Sequence, residues 1–160
     1  MTGAPLATGN QMADVSASSP TSRLVDGVIA VLTTEMSREF YVGPMPDKPN
    51  DFDLGEREGA VLVHYRAGKG QGSDADGDQR RALTIDVHLR LRGLSGRFGV
   101  PVQVDAVIGS LLGRQVQGST RFHYDSDQLV QEHDGIWDHV VTFQTTLPVV
   151  ARRHPEWRPY

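Results

Sequence analysis

The chain has 160 residues, 38% of them apolar and 22% charged, with a net charge of −4 and no cysteine. That balance suits one globular domain with room for a sizeable core, and its mild acidity argues against non-specific binding to nucleic acid or anionic membrane. The lack of Cys excludes a disulfide framework, a thiol nucleophile and a thiolate metal site, and no apolar run reaches the ~20 residues of a membrane helix.

Residues 1–20 are mainly Ala, Ser, Gly, Thr and Pro. Such a segment buries too little to offset its ordering entropy, so a flexible arm is expected. It also lacks the basic start and apolar middle of a secretion signal, so the chain is expected to stay in the cytoplasm. Leu24, Val25, Val28, Ile29, Leu32 and Met36 then recur at helical spacing, with Ser22 placed to cap the first turn. Three prolines in "YVGPMPDKPNDFD" end that helix and predict an extended loop.

"GAVLVHYR" (residues 59–66) reads as a mostly apolar strand, central in its sheet or covered on both sides. The Gly- and Asp-rich "AGKGQGSDADGDQR" follows as a mobile connector. Its Asp74, Asp76 and Asp78 fail as a calcium loop, because the sixth and twelfth places hold Gln79 and Ile85 rather than Gly and Glu. "RALTIDVHLRLR" alternates almost without a break. Leu83, Ile85, Val87, Leu89 and Leu91 fall on one side, and Thr84, Asp86, His88, Arg90 and Arg92 on the other. This is a long strand with one buried face and one displayed face, antiparallel to the strand before it. After "GLSGRFG", Pro101 opens a second helix whose core side is Val104, Val107, Ile108, Leu111 and Leu112, ending at Gly113.

The last third is β again: "TRFHYD", "QLVQEH" and "IWDHVVTFQTTL", with Asp134-Gly135 closing a hairpin. Trp137, Val141, Phe143 and Leu147 share one face of the final strand, and Trp137 and Phe143 join Ile85 and Val87 as expected core. The proline-rich tail "ARRHPEWRPY" is expected to be extended. The fold class is therefore α+β: a mainly antiparallel sheet of about five strands with two helices packed on one face, in the order α-β-β-α-β-β-β. Residues 1–20 form the arm, 21–150 the domain and 151–160 the tail.

The best enzyme candidate is "HYDSDQLVQEHDGIWDH", which gathers His123, Asp125 and His139 for metal or acid/base chemistry. No known ligand spacing occurs there, and Asp and His near a hairpin tip are commoner as solvated turn formers. No cofactor or metal is expected. A generic adaptor domain is a further alternative. The remaining features, namely a long half-displayed strand, extensions at both ends and no evident active site, suit an assembly component.

"GAVLVHY", the glycine-rich gap, "RRALTIDVHLRLRGL", a short Val/Leu helix and "HDGIWDHVVTFQTTLPVV" resemble the small tail proteins of Mu-like contractile phages and prophages, over about residues 22–150. Those proteins are regarded as tail terminators, or tail-completion proteins. The resemblance implies a non-enzymatic subunit of a six-membered homo-oligomeric ring in the virion. It would meet tail tube, sheath and neck proteins, and would neither read a nucleic-acid sequence nor enter a membrane. On this reading Asp86, His88, Arg90 and Arg92 border the ring or its lumen. In the tail, Arg152, Arg153, Trp157 and Tyr160 are of types enriched at interface hot spots.

Overall fold

A computed structural model of the chain describes residues 19–151. Its elements are α1 (Pro20–Glu35), β1 (Phe40–Pro44), a short 3-10 turn (Pro49–Asp51), β2 (Gly59–Ser73), β3 (Gln79–Leu91), α2 (Val100–Leu111), β4 (His123–His133) and β5 (Ile136–Val149). The five strands form one sheet in the order β1-β2-β3-β5-β4. All neighbours are antiparallel except β1 and β2, which run parallel. The α+β class holds, and the two helices pack on one face.

The order along the chain is α-β-β-β-α-β-β, which differs from the expected order at two places. "FYVGP" lies in the predicted loop, yet it pairs with Gly59–Val63. Phe40, Tyr41 and Val42 favour extended backbone, and proline is tolerated at the end of an edge strand. The predicted strands "TRFHYD" and "QLVQEH" are one strand, β4, from His123. Its register slips between Tyr124 and Ser126 and again between Leu129 and Gln131. Bulges of this kind let a polar run such as Asp125-Ser126-Asp127 stay in a sheet. The connector is also mostly strand. β2 continues to Ser73 and β3 starts at Gln79, leaving only residues 74–78 as a turn. Asp74 makes that turn, its Oδ1 accepting from the backbone N–H of Asp76 and Asp78 at 3.0 and 2.9 Å.

Ser19, rather than Ser22, caps α1: its hydroxyl accepts from the Ser22 N–H at 3.3 Å, and Pro20 opens the first turn. Leu24, Val28 and Leu32 of α1 and Val104, Val107 and Leu111 of α2 lie on the odd-numbered face of β3 and β5. Ile85, Val87 and Phe143 are fully buried there, and Trp137 packs at the margin. Leu112, expected on the core side, is instead exposed, because the helix ends one residue earlier. The Asp134-Gly135 turn is as expected, with φ of 50° and 79°. Those values match the mirror-image turn whose twist suits a hairpin.

Candidate functional site

The second face of the sheet carries the even-numbered residues of β3 and β5, and it is only partly open. At one end the segment between β1 and β2 folds across it. Leu54 packs on Ala60 and Leu62 there, joined by Tyr41, Met45, Phe52 and Ile136. This small second core reaches β3 at Arg90, whose guanidinium lies over Phe52.

Asp86 corrects that expectation most clearly. It is buried, at 5% exposure. Its Oδ1 accepts from the Thr142 hydroxyl at 2.8 Å, and its Oδ2 meets Arg66 Nε at 2.9 Å. A buried carboxylate needs such partners to offset lost hydration. Arg90 is likewise drawn in. Its guanidinium faces Asp138 at 3.3 Å, with both side chains 13% exposed, donates to the Pro49 carbonyl and lies over the Phe52 ring. Asp138 Oδ2 also accepts from Gln131 Nε2 at 2.8 Å. Oδ1 of Asp138 is buried and takes no hydrogen bond among the described residues, so Arg90 meets its charge without an aligned bond.

His88 sits between these pairs, half-buried, with its ring edge-on to His64 at 6.2 Å between centroids. Burial holds its pKa below 6.5, and His64 and Arg90 add to that, while Asp86 and Asp138 oppose it. Arg92 alone of the four lies in the open, donating to the carbonyls of Arg57 (2.9 Å) and Gly55 (2.5 Å). Asp86, His88 and Arg90 therefore form one polar strip with His64, Arg66, Asp138 and Thr142, and Arg92 lies apart. The partners on β2 and β5 were missed because they are far away in sequence. The even-numbered parity of Asp138 and Thr142 on an antiparallel neighbour was the available signal.

The enzyme candidate does not assemble. Across β5, His123 pairs with Gln144 and so faces the second side. His139, opposite Leu89, faces the helix side. Asp125 falls in a register slip of β4. His139 Nε2 instead meets Asp127 Oδ1 at 2.8 Å, and Tyr124 donates its hydroxyl to the same carboxylate. The Tyr124 hydroxyl, followed by His139, holds Asp127 below its usual range. The same bond raises the pKa of Tyr124. Asp127 and Tyr124 lie on β4 and His139 on β5, so this triplet ties the two strands. Among the described residues no group of three or more His, Asp or Glu side chains converges on a metal position.

β4 forms one rim of the sheet. Asp127 is half-buried and every other residue of the strand is exposed, Leu129 and Val130 at 51% and 54%. Arg152, Arg153, Trp157 and Tyr160 lie outside the described residues. No helix of the described chain is long and apolar enough to cross a membrane. No curated protein matches the chain. The family described as "Gp37 protein" matches residues 28–160. That span takes in nearly the whole domain and the final ten residues, which the resemblance noted above left out.

Proposed function

Because this chain belongs to the Gp37 protein family, a phage-associated family, we propose that it is a structural virion protein, the tail terminator of a contractile phage tail. In this role six copies form a ring at the head-proximal end of the tail tube. The ring stops tube and sheath polymerisation and offers its other side to the neck. The observation that carries the reading is the family match across residues 28–160. It agrees with the resemblance of "DG-I-W" and the alternating strand that follows it to phage tail proteins. The failure of His123, Asp125 and His139 to converge removes the specific support for an enzyme.

In an assembly the polar strip of Asp86, His88 and Arg90 would serve chiefly to fix the second face, leaving Arg92 as the strand's open contact. Arg152, Arg153, Trp157 and Tyr160 are proposed to contact tube, sheath or neck. The test is a phage carrying a nonsense codon in this gene, imaged by electron microscopy with and without complementation. The expected result is tails of irregular length that fail to join heads, restored by the intact gene. Normal-length tails joined to heads would overturn the proposal. Deleting residues 151–160 should then weaken attachment while sparing the melting midpoint of the purified subunit.

A further inference from the structure

The sheet ends in two open edges of opposite charge. On one side β4, "HYDSDQLVQEH", carries three carboxylates and no Lys or Arg. On the other side β1 pairs with β2 only as far as Val63, and the Met45 N–H adds one bond to the Val63 carbonyl. Beyond it, the outer edge of "HYRAGKGQGS" (residues 64–73) has no strand partner among the described residues. This stretch carries Lys69 and Arg66, the latter also meeting Asp86, and no carboxylate. The two open stretches are similar in length.

From these edges we infer that β4 of one copy pairs with the outer edge of β2, at residues 64–73, of a second copy. An uncovered strand edge presents unpaired N–H and C=O groups that add a further strand readily. Charge decides which edge is added. Two β4 edges placed together would oppose like charges, which destabilises a strand pair, whereas β4 against β2 brings acid to base.

Direction agrees as well. β4 is antiparallel to β5, β5 to β3, and β3 to β2, so β4 runs opposite to β2. Rotation about an axis lying along the strands preserves direction, so β4 meets its neighbour's β2 antiparallel. Such a contact uses two different patches, and contacts of that kind close into rings when the rotation permits. The inference rests on the proposed ring and names its seam.

The chain has no cysteine, so thiols introduced by mutation are the only ones present. Gln71 pairs with Arg80 of β3, and Gln128 with Val140 of β5, which puts both on the second face. In the full-length protein carrying Gln71→Cys and Gln128→Cys together, a short bismaleimide should yield a ladder of covalent multimers on a denaturing gel. Either single variant should give none, and the two singles mixed should give a dimer only. Dimers from Gln128→Cys alone would overturn the inference in favour of symmetric β4 pairing. No cross-link in a protein whose solution mass is that of a ring would overturn the seam and leave the ring. No cross-link in a monomeric protein would overturn the inference that this edge contact assembles the subunits, while the tail-length test decides the ring itself.

Discussion

Arg90 separates the two views of the long strand. If its side chain were merely displayed, Arg90→Ala would change stability by no more than ~0.5 kcal/mol. The structure gives it three ties instead: Asp138 at 3.3 Å, the Pro49 carbonyl and the Phe52 ring. Breaking a fully buried ion pair costs about 3–5 kcal/mol, and an exposed pair is worth only about 0–1. At 13% exposure for both partners the pair lies nearer the buried limit, although Asp138 keeps its bond from Gln131. We expect Arg90→Ala to cost about 2–3 kcal/mol, and Arg90→Glu more, since it sets two carboxylates together. Urea titration followed by far-UV circular dichroism measures both. Arg92→Glu, which loses only exposed bonds to two carbonyls, should stay within ~1 kcal/mol. Replacing the pair together, as Arg90→Met with Asp138→Leu, should recover much of the loss, because the uncompensated carboxylate is gone. A cost below ~0.5 kcal/mol for Arg90→Ala would refute the reasoning. The comparison also bears on assembly. A defect from Arg90→Glu confounds folding with contact, whereas one from Arg92→Glu reports contact.

Ile85 is fully buried at the centre of the helix-side core, so Ile85→Ala should cost about 2–5 kcal/mol by denaturant titration. The folded state holds the His88 pKa below 6.5, so the unfolded chain binds the proton more readily. Stability is therefore fully present above 6.5 and falls as pH drops through the folded value. His88→Gln should flatten the stability profile between about pH 8 and 5 relative to the parent protein. An unchanged slope would show that His88 does not contribute to it. Gly135 has φ of 79°, so Gly135→Ala should cost about 1–2 kcal/mol by thermal melting, since an L side chain there is strained.

What was legible in the sequence was whatever a single element shows about itself. The apolar sides of "LTIDVHLRL" and of α1 are periodic, and the Asp134-Gly135 turn is local chemistry. β1 was hidden because Pro44, Pro46 and Pro49 dominate its surroundings, while its pairing with residues 59–63 is a distant event. β4 was split in two because bulges imitate turns in a polar run. The burial of Asp86 and Arg90 could not be seen in β3 itself. It depends on Arg66 from one neighbour, Thr142 and Asp138 from the other, and Pro49 and Phe52 arriving from the β1–β2 segment. Alternation tells which residues share a face and leaves open what covers it.

The position of β3 has a kinetic consequence. It is paired along its whole length on both sides, with β2 from Gln79 to Leu91 and with β5 over the same residues. Its amides can therefore meet solvent only when a long neighbouring strand has detached as well. Both contacts come from antiparallel neighbours, and the one with β2 closes through the short turn at residues 74–78, so it forms early, at low loop-closure cost. Isotope exchange should progress inward from the rims, with β4 opening in small local fluctuations. The amides of β3 should be the last to exchange, at a rate set by global unfolding of the domain.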